Sequence, residues 1–287
     1  MCGITGITDK QVEDFEEGIK KMTKAIAHRG PDDDGFFIDE LVALGMRRLS
    51  IIDLSRGRQP ISTSDGRYLI FFNGEIYNYK ELRKELTTYN FTTESDTEVI
   101  LAGFSEWGIE VFKRLRGMFA LAIYDTVARK LILARDPFGI KPLYYWKRVN
   151  KIAAFSSEIK SFLTLKGFRP EVNDEVVFNY LSYQYNPLEE SFFRGVYKLP
   201  PGSTLSLDVK TGVYEINRYF KFEFNQKELK EEETKERIVE TLKDSVNHHL
   251  IADVPVGSFL SGGVDSSIIA TLLPRKLKTF TVTFGKV

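Results

Sequence analysis

Short apolar segments with the composition of β-strands are grouped along this chain, and the grouping limits the folds that it can adopt. Several follow one another between residues 118 and 155, with only short polar connections. Helical periodicity is grouped elsewhere, and residues 11–27 place Phe15, Ile19, Met22 and Ile26 on one face. Strands in runs and helices in runs predict an α+β domain whose sheets pack face to face beneath outer helices. The predicted strands are 2–8, 41–45, 49–52, 68–72, 118–124, 130–134, 143–146 and 152–155, and the predicted helices are 11–27, 79–86 and 97–107.

The pattern changes beyond residue 158, and a domain boundary is expected between residues 185 and 230. Before it the sequence predicts a helix at 173–183 and a hairpin of strands 203–208 and 213–219. After it come a helix at 231–250, an apolar strand at 256–260, a glycine turn, a helix from Val264 and a strand at 279–284. This order of strand, loop, helix and strand is typical of the opening of a parallel α/β sheet.

Composition indicates an ordinary soluble globular protein. Forty basic residues balance forty acidic ones among the 287, which gives no reason to expect nucleic acid or an anionic membrane as partner. The single cysteine excludes an internal disulfide, and no apolar run approaches the roughly 20 residues that span a bilayer. The first residues lack the basic flank and apolar stretch of a signal peptide, so we expect a cytoplasmic protein.

That single cysteine directly follows Met1 and precedes a glycine. An initiator methionine is commonly removed before a small residue, which would leave Cys2 with both a thiol and a free α-amine. The amine has a reference pKa of about 7.7–8.0 and can act near neutral pH as the base for its own thiol. The alternative is that Cys2 is an incidental small residue in a first strand.

Three polar clusters among the apolar segments are candidates for a ligand site. In residues 47–53, Arg48 can pair with a carboxylate, or it is a surface arginine beside a core strand. In residues 72–78, Asn73 and Gly74 offer donors to an oxyanion and Glu75 can accept from an ammonium; alternatively, the Asn-Gly pair is a turn after a strand. In residues 95–98, Asp96 can bind an amino group, and it or Ser95 caps a helix.

The order of seven motifs resembles the class II glutamine amidotransferase domain, and residues 2–220 are similar to the glutaminase half of the glutamine-dependent asparagine synthetase family. The motifs are MCGI, HRGPDDDG, RRLSIID, FNGEIYNY, SDTEV, GMFALAIYD and RDPFGIKPLYY. The resemblance implies an α+β Ntn-hydrolase-type sandwich of four layers, α/β/β/α, that hydrolyses glutamine without a cofactor. It implies that Cys2 is the nucleophile and that Asn73 and Gly74 form the oxyanion hole. The implied glutamine-binding residues are Arg48 for the α-carboxylate, Glu75 and Asp96 for the amino group, and the backbone of Leu49, Ser50, Ile51 and Ile52.

A second motif, SGGVDSS, follows the apolar strand at 256–260 and opens a helix. Glycine N–H groups, serine hydroxyls and a helix N-terminus suit phosphate oxygens, and no lysine of the common P-loop follows. The alternative is a serine-glycine connector. The motif resembles the pyrophosphate loop of ATP-pyrophosphatases, which implies ATP and Mg²⁺ as co-substrates, with Asp265 near the metal. The implied ATP-binding residues are Leu260, Ser261, Gly262, Gly263, Asp265, Ser266 and Val282.

These resemblances predict two domains, a glutaminase at 2–220 and an incomplete ATP-binding domain at 221–287. The family normally continues well beyond this point, so we expect a fragment or truncated reading frame with an unpaired apolar edge at 279–284. In the full-length protein, ammonia would convert aspartate to asparagine through β-aspartyl-AMP, and a homodimer is expected to be possible. Two alternatives remain open, namely another carboxylate acceptor, or a non-catalytic module that binds glutamine.

Overall fold

The computed structural model describes residues 1–224, 230–273 and 277–283. The chain divides into two compact units, Met1–Lys221 and Phe222–Val287. The first unit contains strands β1 (Gly3–Ile7), β2 (Asp33–Ile38), β3 (Ala43–Arg48), β4 (Ile61–Ser62), β5 (Tyr68–Ile76), β6 (Gly117–Asp125), β7 (Lys130–Arg135), β8 (Tyr144–Arg148), β9 (Lys151–Ser156), β10 (Val196–Lys198), β11 (Ser203–Asp208) and β12 (Tyr214–Arg218). Its helices are α1 (Phe15–Ala25), α2 (Tyr79–Glu85), α3 (Asp96–Trp107), α4 (Val111–Arg114) and α5 (Asp174–Tyr183).

The strands of the first unit form two six-stranded sheets in which neighbouring strands run antiparallel. One sheet has the order β10-β8-β9-β1-β3-β2 and the other β12-β11-β7-β6-β5-β4. Buried side chains from both sheets form one continuous core, to which β1 contributes Ile4, β3 Leu44, β5 Phe71 and β6 Tyr124. The two sheets therefore pack face to face.

Helices cover the outer face of each sheet. Helix α1 begins after Asp14, whose side chain accepts from the Glu17 N–H, and it buries Phe15, Ile19 and Met22 against the first sheet. Helix α3 packs against β5 and β4 of the second sheet. The unit is thus a four-layer α/β/β/α arrangement, and the sequence periodicity identified the buried face of α1 correctly.

One predicted strand and one alternative interpretation in this unit were wrong. Residues 49–52 form no strand but a loop that begins where β3 ends at Arg48. Asn73 and Gly74 form no turn, because β5 continues through them to Ile76 and pairs along this length with β6. The apolar residues at 49–52 suggested a strand that does not form, and the polar pair Asn73-Gly74 concealed the continuation of β5, whereas the other predicted strands were placed within a few residues.

The second unit contains α6 (Glu231–His248), β13 (Gly257–Phe259), α7 (Val264–Thr271) and β14 (Lys278–Phe280). Strands β13 and β14 pair in parallel, as the order of strand, helix and strand predicted. The predicted strand at 279–284 ends earlier, at Phe280, and Phe284 lies outside the described residues. No helix in the described part of the chain is long and apolar enough to cross a bilayer.

Candidate functional site

A pocket forms at one end of the sandwich, where the chain start, the end of β3, the second half of β5 and the first turn of α3 meet. It brings together almost all of the glutamine-site residues predicted from the sequence. Ser50 is the exception: it is not among the lining residues, and its N–H donates to Asp32 Oδ2 at 2.8 Å. The lining residues are Met1, Cys2, Arg48, Leu49, Ile51, Ile52, Gly57, Gln59, Phe72, Asn73, Gly74, Glu75, Ser95, Asp96, Thr97 and Lys141.

Cys2 lies just before β1 and directs its thiol to the loop after β3. Its Sγ accepts from the Leu49 N–H at 3.4 Å, and the thiol donates to the Leu49 carbonyl oxygen at 3.6 Å. Burial raises the pKa of the Cys2 thiol, while the Leu49 N–H and the charges of the chain terminus and Arg48 act in the opposite direction. A thiol whose pKa is raised needs a base beside it before it can act as a nucleophile.

The backbone of Cys2 is fixed by an arginine that the sequence reasoning did not select. Arg29 Nε donates to the Cys2 carbonyl oxygen at 2.8 Å, and its Nη1 pairs with Glu158 at 3.0 Å. Arg29 belongs to the HRGPDDDG segment, one of the seven motifs that carry the family resemblance, but no role was assigned to it. Its position in that motif was the available signal.

Arg48 is the last residue of β3 and is buried beneath the loop that follows. Its Nη2 donates to the carbonyls of Ile52 at 3.2 Å and Asp53 at 2.8 Å, and Nη1 donates to Leu54 at 3.4 Å. Gly57 permits this packing, because a Cβ there would lie 2.7 Å from Arg48 Nη2. These acceptors are neutral carbonyls, so they order the loop without neutralising the guanidinium, and its positive charge remains at the pocket.

Asn73 has the most unusual environment in the pocket. It is fully buried within β5, yet neither Nδ2 nor Oδ1 has a hydrogen-bond partner. Side chains alternate along a strand, so Asn73 shares the inter-sheet face with Leu69 and Phe71, which is the face toward β1. Leaving a buried amide unpaired costs roughly 1–3 kcal/mol, which is expected where a ligand supplies the missing partners.

Gly74 lies beside Asn73 and opposite Phe119 of β6. A Cβ at this position would lie 2.2 Å from the Met118 carbonyl oxygen. Glycine therefore lets β5 and β6 approach closely and keeps the backbone beside Asn73 free of a side chain.

Asp96 begins α3 with its carboxyl group buried in the pocket. Its Oδ2 accepts from the Ile76 N–H at 3.0 Å, and the Ser95 hydroxyl lies 3.4 Å from Oδ1. The helix cap is Ser95, which accepts from the Thr97 N–H, so Asp96 is not needed for that role. Burial raises the pKa of Asp96 to about 7, and Glu75 adds to this while the Ile76 N–H opposes it. A cationic ligand group would stabilise the carboxylate form.

Gln59 and Lys141 line the pocket without having been predicted. The Gln59 side chain accepts from the Phe72 N–H at 2.6 Å and donates to the Phe72 carbonyl at 3.2 Å, which fixes β5 just before Asn73. Lys141 enters from the loop after β7, within the RDPFGIKPLYY segment. The Gln59 contacts have no local sequence pattern to reveal them, whereas the signal for Lys141 was its place in a motif that carries the family resemblance.

The glycine-rich segment of the second unit lies between β13 and α7. Gly262 has a positive φ of 81° with open space around its Cβ position, and Ser261 Oγ lies 3.0 Å from Ser266 Oγ. Leu260 joins β14 through its N–H to the Phe280 carbonyl, while Asp265 and Val282 are exposed. Among the described residues, no group of three or more His, Cys, Asp or Glu is placed to hold a metal ion. A Mg²⁺ ion bridging Asp265 and a nucleotide phosphate therefore stays a prediction.

A family model described as glutamine amidotransferase domain matches residues 1–220. The chain belongs to this family. A second model, asparagine synthase, matches residues 237–286. The first match spans the whole sandwich and its pocket, and the second spans most of the second unit.

Curated relatives of this amidotransferase include two asparagine synthetases [glutamine-hydrolyzing] of Bacillus subtilis (strain 168). Number 1 is 45% identical over 99% of this chain and 46% of its own length. Number 2 is 36% identical over 98% of this chain and 40% of its own length. The chain thus spans about half the length of the curated relatives it matches.

Among solved structures, the glutamine phosphoribosylpyrophosphate amidotransferase of B. subtilis aligns with a TM-score of 0.57. The alignment covers 98% of this chain and 65% of that one at 16% identity, and it shows a shared fold. Together with the layer order, this confirms the predicted α+β sandwich of the Ntn-hydrolase type.

Proposed function

We propose that this chain hydrolyses glutamine to glutamate and ammonia with Cys2 as the nucleophile. The observation that carries the proposal is the fully buried Asn73 amide, which lacks a hydrogen-bond partner and lines the same pocket as the only thiol in the chain. An unpaired donor beside a nucleophile is what an oxyanion hole requires before substrate arrives.

Glutamine would be held by its α-amino acid end. Arg48 supplies a guanidinium whose remaining N–H groups suit the α-carboxylate, and its bonds to the loop carbonyls fix its position. Asp96, supported by Glu75, accepts from the α-ammonium. Leu49, Ile51 and Ile52 line the wall between these charged ends.

The chemistry begins once Met1 has been removed. The neutral α-amine of Cys2 takes the thiol proton, and the thiolate attacks the side-chain amide carbon of glutamine. The carbonyl oxygen becomes an oxyanion, to which Asn73 Nδ2 and the Gly74 N–H donate. The C–N bond then breaks, the amine returns its proton to the leaving nitrogen, and ammonia departs. Water hydrolyses the glutamyl thioester by the same proton route and frees glutamate, with no cofactor.

The longer protein would use the ammonia in an ATP-dependent amidation. Under this proposal residues 2–220 form the glutaminase domain and residues 221–287 the first part of the ATP-binding domain. The glycine turn fits phosphate oxygens, because Gly262 leaves open space and serine hydroxyls lie beside the start of α7. Leu260 and Val282 would border the adenosine, and Ser261, Gly262, Gly263 and Ser266 would hold the phosphates, with Mg²⁺ near Asp265.

We further propose aspartate as the acceptor, activated as β-aspartyl-AMP, in a cytoplasmic enzyme that can form a homodimer. The names of the curated relatives support asparagine as product. Another carboxylate acceptor is the second candidate, since no residue of the described pocket selects the acceptor. Assays of the longer protein with ATP, glutamine and a panel of carboxylates distinguish these candidates by the amide that forms.

The glutaminase itself is tested by glutamate release from the wild-type chain and from Cys2→Ala. We expect release by the wild type, on chains whose mass shows loss of Met1, and at least about 10³-fold less by the variant. Glutamine binding by both chains without turnover would instead indicate a non-catalytic binding module.

A further inference from the structure

Lys141 is a buried cation with poor hydrogen bonding at the chain start. It is 3% exposed, and its Nζ lies 3.0 Å from Met1 Sδ. Within the described residues this sulfur is the only acceptor in hydrogen-bond range of the ammonium. A thioether is a weak acceptor, so the charge is buried without the strong partners that normally compensate for lost water.

The backbone around Lys141 is held by two neighbouring charged residues. The Lys141 N–H donates to Asp136 Oδ2 at 2.9 Å, and the Ile140 N–H donates to Asp136 Oδ1 at 2.9 Å. Arg135 Nε donates to the Lys141 carbonyl oxygen at 2.8 Å. Asp136 Oδ2 also accepts from the Phe119 N–H, opposite Gly74. The loop that carries Lys141 is thereby attached to the strand beside the proposed oxyanion hole.

The charges around the terminal amine come from several elements. In the unprocessed chain, burial lowers the pKa of the Met1 α-amine, and the positive charges of Lys141 and Arg29 lower it further, whereas Cys2 and Glu75 oppose them. Burial likewise lowers the pKa of Lys141, against the charge of Glu75. Arg48 and Asp96 act on the neighbouring thiol. Lys141 is the cation whose ammonium reaches the side chain of the first residue.

We propose that Lys141 is a positioning residue whose ammonium, held at the chain start in the pocket that Cys2 also lines, acts on the α-amine that Met1 removal exposes on Cys2 and keeps that amine in its neutral, proton-accepting form. This inference rests on the proposed function, in which the amine is the base. Lys141 exchanges no proton in the reaction. It disfavours a second positive charge nearby, and a protonated amine would be unable to accept the thiol proton.

Removal of Met1 also removes the thioether that contacts Nζ. The ammonium would then lose this contact, in a pocket that Cys2 and Glu75 also line.

The test compares pH profiles of kcat/KM for glutamate release by the wild-type chain, Lys141→Met and Lys141→Arg, with loss of Met1 checked by mass. The exposed Lys130→Met serves as control. In Lys141→Met the acidic limb should move to higher pH, with kcat/KM falling about three- to tenfold near about pH 6.5 and little above about pH 9. Lys141→Arg and Lys130→Met should keep the wild-type limb.

An unchanged acidic limb in Lys141→Met would overturn the proposal. So would an equal loss at all pH values in both Lys141 variants, because that indicates a purely structural role. The rate at which an amine-selective acylating reagent modifies Cys2 across pH gives a second measure that needs no turnover. If wild type and Lys141→Met differ in that rate but neither releases glutamate, the proposed function has failed and the effect of Lys141 on the amine has not. If they do not differ, the Lys141 inference has failed whatever the activity.

Discussion

The amidotransferase pocket and the glycine turn before α7 both carry specific sequence motifs, but they differ in how firmly the fold holds them. Arg48, Asn73 and Asp96 are buried, and their strands and helix pack on a continuous core. Around the glycine turn, Asp265 and Val282 are exposed, and none of the described residues from 222 to 283 is buried.

The difference shows that a recognisable motif and a preorganised site are separate properties. In the pocket, backbone groups and neighbouring side chains fix each functional group before a ligand arrives, which is the condition for electrostatic catalysis. In the glycine turn, Ser261 and Ser266 bond mainly to each other and to nearby backbone. The pocket is therefore expected to function within this chain. The glycine turn is held in place by few buried contacts among the described residues.

We expect the largest effect on glutamate release from Asn73→Ala. Because Asn73 stabilises the oxyanion under our proposal, the variant should lose about 10²–10³-fold in kcat with a much smaller change in KM. Steady-state glutamate release measures both constants. Asn217→Ala, an exposed asparagine in β12, is the matched control and should behave as the wild type. A loss confined to KM would assign Asn73 to substrate binding instead.

Adding one methyl group to a glycine in each region sharpens the comparison. Gly74→Ala forces a carbon toward the Met118 carbonyl, so we expect it to lower the stability of the sandwich by about 2–4 kcal/mol. In Gly262→Ala the added carbon enters open space, so the only expected cost is that of an alanine at a positive φ, about 1 kcal/mol. This residue lies outside the sandwich. Thermal unfolding of the two variants reports the difference. Equal shifts in the main transition would contradict the account.

Asp96→Asn should separate ligand binding from stability by their pH dependence. Burial raises the pKa of Asp96 to about 7, above its unfolded value near 3.8. The contribution of Asp96 to the stability of the fold is therefore complete below about pH 3.8 and is lost as the pH rises to about 7. The variant should therefore gain on the order of 2 kcal/mol over the wild type at about pH 8 but not at about pH 3.5. It should also bind glutamine about tenfold or more weakly, because the ammonium loses its carboxylate.

Chemical unfolding across pH and calorimetric glutamine titration measure the two effects of Asp96→Asn. Asp174→Asn removes an exposed carboxylate from the first turn of α5 and should change neither. A variant that is less stable than wild type at about pH 8 would show that Asp96 is held as a carboxylate by contacts stronger than those described.

Limited proteolysis should show a smaller difference, between the cleavage rates of the two units. Side chains of the first unit fill a core between two sheets. None of the described residues of the second unit is buried. We expect cleavage within 222–287 to be about tenfold or more faster than within 1–221, leaving a stable fragment near 221. Mass spectrometry of the time course identifies the cuts. Equal rates would mean that the two units are equally protected.

The sequence was most informative where residues follow a regular period. The 3.6-residue spacing of Phe15, Ile19 and Met22 located the buried face of α1, and alternation located most strands of the sandwich. It was least informative where polar residues interrupt a strand, because Asn73 and Gly74 look like a turn until β6 is seen beside them. Local pattern cannot reveal which strand lies alongside.

The candidate site shows the same limit. Cys2, Arg48, Asn73 and Asp96 were selected by motif, and the fold brings them into one pocket. Arg29, Gln59 and Lys141 were not, because Gln59 and Lys141 reach the pocket, and Arg29 reaches the Cys2 backbone, through tertiary packing from separate segments. Lys141, for example, is placed by Asp136 and Arg135 of the same RDPFGIKPLYY motif, but the motif does not show that the lysine side chain reaches the first residue.

The central claim is most directly tested by trapping the covalent intermediate. The chain is mixed with glutamine, quenched in acid within the first turnovers, digested and analysed by mass spectrometry. The account predicts a glutamyl thioester on the first peptide, with that peptide beginning at Cys2 and lacking Met1. Glutamate release by a chain that keeps Met1, or that shows no adduct on Cys2 under conditions of rapid turnover, would contradict it.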